Sequence, residues 1–205
     1  MEAPDPWTLA ALLLTALCLG FALASGGHPA AAAEKARPEK ERKAHPPVSL
    51  EDLYTRLKLA GDEGEAKAIA TLIERRLGRS GSATADLLSD RARQAMSGND
   101  LPLAVELMDR AVALEPNWSE GWSRRATLFW RLSDSSTAIA DLQRALVLEP
   151  RHFEAWAALG KLYLAQDDKG RALDAFRRAE ALYPQWDVLK KAIERLKPDV
   201  DGRDL

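Results

Sequence analysis

The chain has 205 residues, 46% of them hydrophobic and 29% charged, which leaves room for one or two domains with ample core. Its 29 basic residues stand against 31 acidic ones, a net charge of −2, so nothing electrostatic points to a nucleic-acid partner. The single cysteine, Cys18, excludes a disulfide framework and a cysteine-based metal site.

Positions 7–24 read WTLAALLLTALCLGFALA, a run without a charge. Its length is the lower limit for a membrane-spanning helix and near the upper limit for the apolar part of an export signal. Small-residue cleavage patterns come next, at Ala22-Leu23-Ala24 and within Ala30 to Ala33. The opening MEAPDPW carries Glu2 and Asp5 and no base, unlike an ordinary signal peptide. Residues 1–33 therefore read as a signal peptide or a membrane anchor. The first reading places the protein in the periplasm or outside the cell. The alternative is an inner-membrane protein held by a single N-terminal anchor; for a retained anchor, the basic bias from Lys35 to Lys43 weakly favours the following domain on the cytoplasmic side. Cleavage after residue 33 would remove two acids and no base, leaving 29 charges of each sign.

Residues 34–48 combine alanine, proline and mixed charge with almost no large apolar side chain, the composition of a flexible linker. Pro46-Pro47 ends it, and Ser49 with Asp52 predicts a capping box at the start of a helix. Leu50, Leu53, Tyr54 and Leu57 keep helical spacing, and Gly61-Asp62 interrupts it. Ala66, Ile69, Ala70, Leu72 and Ile73 resume the pattern up to Gly78. Residues 49–84 are thus expected to form a degenerate helix pair covering the N-terminal end of the later helices. No stretch alternates like a half-buried strand, so the fold class is all-α.

A repeat then emerges. Pro116, Pro150 and Pro184 recur at one constant interval, a period of roughly 34 residues. Trp122 and Trp156 keep the same interval, with Leu88 in the equivalent earlier place. Ala104, Ala138 and Ala172 share a phase, as do Ala111, Ala145 and Ala179, with Met108, Leu142 and Phe176 between them. Trp156, Leu159, Gly160, Tyr163, Ala172, Phe176, Ala179 and Pro184 complete a pattern that resembles the tetratricopeptide repeat (TPR) at its hallmark places. The segments GWSRRATLFW, LEPRHFEA and SGSATADLL also resemble small exported alphaproteobacterial members of that family. The resemblance implies a solenoid of stacked antiparallel helix pairs over residues 85–186, divided into 85–118, 119–152 and 153–186. A C-terminal capping helix is expected over 187–197 and a disordered tail over 198–205.

In this family the first helix of each unit lines a concave groove. Carried onto this chain, the groove stripe falls on Ser89, Arg93 and Met96, then Ser123, Thr127, Trp130 and Arg131, then Lys161 and Leu164. Three cations and an aromatic there suit an acidic or C-terminal peptide, against the plainer reading of a solvated polar face. Ser89, Thr127 and Ala157 replace several residues of the family's two-carboxylate clamp, so chaperone tails are not expected partners. Arg91 and Arg125 stand where the family has leucine, and a buried arginine needs an acid; Asp141 is the expected structural partner of Arg125.

No catalytic constellation is readable. His28, His45 and His152 lie apart from any metal-ligand spacing, and no phosphate loop or nucleophile elbow is present. The sequence therefore predicts a non-enzymatic interaction module or scaffold of the cell envelope. It would take a peptide or protein of unknown identity, with no nucleic acid, cofactor or metal, and would meet a membrane only through an uncleaved N-terminal segment. The alternative is a membrane-anchored assembly factor, similar in layout to the repeat domains of cytochrome-maturation proteins.

Overall fold

The computed structural model describes residues 48–204. The signal or anchor over 1–33 and nearly all of the linker over 34–48 lie outside the described residues. Nine α-helices and no strand occur among the described residues. They are α1 (Leu50–Leu59), α2 (Glu63–Leu77), α3 (Ala83–Ser97), α4 (Leu101–Leu114), α5 (Ser119–Arg131), α6 (Ser135–Leu148), α7 (Phe153–Ala165), α8 (Lys169–Leu182) and α9 (Asp187–Val200), with a 3₁₀ turn at Asp201–Asp204 after them.

Helices α3 with α4, α5 with α6, and α7 with α8 pack as antiparallel pairs. Close approach depends on small side chains: Ala104, Ala111, Ala138, Ala145, Ala172 and Ala179 are all wholly buried. Met108, Leu142 and Phe176 fill the space beside them. In the last pair the approach is tightest at Gly160, where a Cβ atom would meet the Phe176 ring at 2.5 Å. Pairs join end to end because Trp122 and Trp156 donate their indole N–H to the carbonyls of Pro116 and Pro150, at 3.0 and 2.9 Å. The hallmark tryptophans thus tie α5 and α7 to the turns that precede them.

The turn inside each pair is built identically. Asn99, Ser133 and Asp167 all have positive φ, near 60°, and recur in the phase of the repeat. Each is followed by an aspartate, Asp100, Asp134 or Asp168, whose carboxylate accepts a backbone N–H of the second helix and caps it. The same aspartates donate their backbone N–H to the carbonyls of Ala95, Phe129 and Tyr163, which closes the first helix. This left-handed residue plus aspartate cap is a repeat signal independent of the proline, alanine and tryptophan spacing.

Two expectations need correction. Helix α9 runs through Pro198 to Val200, and Asp201–Asp204 adds a 3₁₀ turn, in place of a disordered tail from 198 onward. Lys169 pairs with Asp199 and Arg177 with Asp201, which pins this segment to α8. The second correction concerns α1 and α2. Their capping box at Ser49–Asp52 and their break at Gly61-Asp62 are as the sequence suggests. Their place is not. Leu53, Leu57, Ile69 and Ile73 pack in one cluster with Phe153, Tyr183 and Trp186, not with α3 and α4.

The physical reason lies in the inter-repeat turns. Phe153, Tyr183 and Trp186 form an aromatic cluster, edge-to-face and stacked at 5.5–6.1 Å, and the apolar face of the hairpin covers it. Polar ties fix the register. Trp118 donates its indole N–H to the Leu77 carbonyl at 2.7 Å, and Gln185 donates to the Ala60 carbonyl. Arg151 pairs with Glu51 and lies over the Tyr54 ring at 4.5 Å. The hairpin therefore runs along the turns of the second and third pairs.

Ser133 carries the conformational cost of a left-handed backbone without glycine's freedom. Ser133→Gly should raise unfolding free energy by about 0.5–1 kcal/mol, and Gly160→Ala should lower it by about 1–3 kcal/mol through overpacking. Urea denaturation of both variants checks the pair of signs.

Candidate functional site

The first helices of the three pairs, α3, α5 and α7, carry the residues singled out by the sequence. Their positions repeat in phase: Met96, Trp130 and Leu164 form one row, and Arg93, Thr127 and Lys161 a second. Trp130 is 38% exposed and Leu164 40%, both large apolar side chains left facing solvent. Arg93, Thr127, Arg131 and Lys161 are exposed, Ser123 and Met96 half-buried. Arg93, Met96 and Thr127 meet around a small cleft between α3 and α5, about 160 Å³, floored by Ala92, Met108 and Leu128. Arg131 reaches back to α3, donating to the Met96 carbonyl at 3.2 Å and to Asn99 Oδ1 at 3.4 Å. Lys161 and Leu164 continue the rows on α7, outside that cleft.

Ser89 does not belong to the open stripe. It is 2% exposed and its hydroxyl accepts a hydrogen bond from Arg124 Nη1 at 2.8 Å. Arg124 in turn pairs with Glu120 and lies over the Trp118 ring, next to the end of α2 at Gly78. The N-terminal turns of α5 and α7 are thus engaged by the hairpin. The C-terminal halves of α3, α5 and α7 are open.

Arg91 is exposed and needs no buried partner, contrary to the expectation drawn from its position. Arg125 is different. Its guanidinium donates to both Asp141 carboxylate oxygens, at 2.7 and 2.8 Å, and to Asp109 Oδ1 at 2.9 Å. It also lies over the Trp122 ring at 4.7 Å. The Asp141 side chain is 5% exposed, so the bidentate bond is what makes its burial tolerable. Hydrogen bonding to Asp141 holds the arginine pKa above its already high ordinary value. Spacing within a repeat does not signal Asp109, on α4, because its partner is in the next pair. The result is a clamp joining α4, α5 and α6, structural in character.

A second, larger cleft of about 490 Å³ lies among α6, α7 and α8, lined by Leu146, Val147, Trp156 and Tyr163. Arg178 covers the Trp156 ring at 4.7 Å and Arg171 the Tyr163 ring at 4.5 Å, so both aromatic faces are already engaged.

The group nearest to a metal geometry among the described residues is Glu120, His152 and Glu154, whose ligand atoms lie within 4.8 Å of one another. His152 is buried at the N-cap of α7, where Nδ1 accepts the Ala155 amide at 3.4 Å. Its Nε2 therefore carries the hydrogen and points it at Glu120 Oε2, 3.0 Å away. Neither nitrogen keeps a lone pair for an ion, so the geometry is that of a hydrogen-bonded cluster.

The family profile described as Tetratricopeptide repeat matches residues 123–185. A TPR repeat-containing protein of Rhizobium etli is 36% identical over 135 residues, 65% of this chain and 66% of the relative. The chain belongs to the tetratricopeptide-repeat family. This repeat protein thus spans about two thirds of the length of that curated relative. Among solved structures, it is similar to the first TPR of Spaghetti (RPAP3) bound to the HSP90 peptide SRMEEVD. The TM-score there is 0.55 at 17% identity, covering 58% of this chain and 95% of that one. It is similar also to the Sgt2 TPR domain of Aspergillus fumigatus, with a TM-score of 0.55 at 22% identity over 60% and 83%. The MamA protein gives 0.54 at 18% identity over 76% and 82%. These likenesses establish the fold of the repeat protein.

Removing Asp141 takes away the bidentate partner of a largely buried guanidinium and leaves it only the more exposed Asp109. Asp141→Ala should cost about 3 kcal/mol of stability, and Arg125→Met combined with Asp141→Leu should recover most of it. A double-mutant cycle by urea denaturation reads the coupling directly.

Proposed function

We propose that this chain is a protein-interaction module that takes an extended, partly acidic peptide segment across the open halves of α3, α5 and α7. The reading rests on the pair of rows repeated along the groove. Met96, Trp130 and Leu164 offer one apolar rung per repeat, and Arg131 and Lys161 set positive charge beside them. Packed helices stand about 8–10 Å apart. An extended or polyproline-type segment rises about 3.1–3.3 Å per residue, so a segment lying across the three helices would set side chains against successive rungs. Large exposed apolar residues aligned in a groove are the usual basis of partner binding.

Two structures of the same fold support a peptide as ligand. The Spaghetti repeat domain is bound to the peptide SRMEEVD, and the TPR2B domain of yeast Sti1 is in a complex with pHsp70. The clamp positions of chaperone-binding relatives are not matched here, so the partner we infer is a different segment of similar chemistry. We place the module in the cell envelope. The uncharged run over residues 7–24 and the alanine-rich stretch after it support export, and an interaction module needs no cofactor to work there.

A peptide array probed with the purified full chain, and titration of the best binder, test this reading. Trp130→Ala should weaken that binder at least tenfold, about 1.4 kcal/mol, and Lys161→Glu should weaken acidic peptides selectively and remove much of their salt dependence. Equal binding by wild type and both variants would exclude the groove as the binding surface. Recovery of a species beginning near residue 34 in the soluble envelope fraction would support the location, and a full-length membrane-bound species would contradict it.

A further inference from the structure

The cleft of about 490 Å³ among α6, α7 and α8 stands where the preceding repeat carries its clamp. In that preceding pair the Arg125 guanidinium lies over Trp122 at 4.7 Å and over Phe129 at 5.6 Å. It bonds there to Asp141 and Asp109, and so bridges α4, α5 and α6 with the chain's own charges. One period later Trp156 and Tyr163 take the places of the two rings. Leu159, however, stands for Arg125, Ala175 for Asp141 and Gln143 for Asp109. Leu159 and Ala175 are buried and carry no charge, and Gln143 donates to the Tyr163 hydroxyl at 3.4 Å. The third pair keeps the aromatic walls and lacks the bridge, and the cleft lies in its place.

The rim carries the charge that the walls lack. Arg178 and Arg171, both on α8, lie over Trp156 and Tyr163 at 4.7 and 4.5 Å. A stacked guanidinium engages its face, while its N–H groups point outward in the plane and remain donors. Arg171 shares its charge with Asp168. Arg178 has no hydrogen bond or ion pair among the described residues, only its stack on Trp156. That ring is itself tied to the Pro150 carbonyl at 2.9 Å, so the stack holds the guanidinium ready. Asp174 is the one acid lining the cleft against the two arginines, which leaves the site positive. On the α6 side Val147 is 71% exposed, and the buried Leu146 and Leu159 also line the cleft.

We propose that this cleft is a second docking site, separate from the groove, for a protein segment carrying a large apolar side chain next to a carboxylate. The side chain lies against Val147, Leu146 and Leu159. The carboxylate accepts from Arg178 and restores the guanidinium–carboxylate bond that the second pair makes internally. Volume and lining agree with this use, since ligand sites run to about 300–1,000 Å³ with mostly apolar walls and a few polar groups. A cleft walled by helices on both sides fits a projecting side chain, whereas a lipid surface needs a flat or convex face. Lys161 and Leu164, the groove residues of α7, take no part in its lining, so the two surfaces fill independently.

Short end-blocked peptides with a central Phe-Glu or Leu-Glu pair, and the same peptides with Gln for Glu, are the probes. They are titrated into the full chain up to about 1 mM, the weak end of specific binding. The indole N–H resonance of Trp156 reports the cleft and that of Trp130 the groove. The Glu peptides should move the Trp156 and Val147 resonances, whatever Trp130 does, and should bind there at least tenfold more tightly than the Gln peptides. Val147→Glu changes an exposed position and should abolish the Trp156 response while Trp130 behaves as in the wild type. Arg178→Gln should reduce the Glu peptides to the affinity of the Gln peptides, and Arg178→Lys should keep part of the preference. Shifts confined to Trp130, no Trp156 shift with any peptide, or equal responses to Glu and Gln peptides would overturn the proposal. So would a Trp156 shift that follows protein concentration without peptide, because the cleft would then hold a second copy of the chain.

Discussion

The structure depends on how closely two helices can lie within each repeat. Six wholly buried alanines on the second helices permit that approach, and Met108, Leu142 and Phe176 then fill what remains. Once the distance is set, the left-handed residue and capping aspartate fix the turn, and proline with tryptophan fixes the step to the next pair. Each of these devices is local, yet their common phase places three first helices side by side. The groove is a consequence of that phase, since equivalent residues fall on one row. A larger side chain at any of the six alanine positions would push a pair apart and tilt the rows it carries.

A groove of this kind is normally as long as its helices. Here the aromatic turns around Phe153, Tyr183 and Trp186 attract an apolar face of the chain's own N-terminal hairpin. The hairpin takes the N-terminal turns of α5 and α7 and leaves the C-terminal halves to solvent. Thr127, Trp130 and Lys161 are exposed on the open halves, whereas Ser89 and its repeat equivalent Ala157 sit at a different place in the period and are buried.

Much of this was legible in the sequence, and the limit is physical. Helix pairs, their period and the Arg125–Asp141 bond follow from spacing, because their causes lie within one repeat or between neighbouring helices. The place of the hairpin does not, since its apolar face looks the same whether it stacks on α3–α4 or crosses the later turns. What decides it is the aromatic content of two residues far along the chain, Phe153 and Tyr183, which no local pattern connects to Leu53 or Ile73. Asp109 is hidden for a similar reason, and Arg91 departs from expectation because a position usually buried in the family faces solvent here. The extension of α9 past Pro198 rests on pairing of Asp199 and Asp201 with α8, again a distant contact.

Docking of α1–α2 across the turns of the second and third repeats determines which part of the groove is free. Nuclear Overhauser contacts from the Phe153 and Tyr183 rings to methyl groups of the full chain read that docking without an intermediate step. They should reach the methyls of Leu53, Leu57, Ile69 and Ile73, together with a slowly exchanging Trp118 indole proton bonded to the Leu77 carbonyl. Contacts from those methyls to Leu88, Val105 or Leu107 of the first repeat, with none to Phe153 or Tyr183, would mean that the hairpin caps the stack and that the whole groove is open.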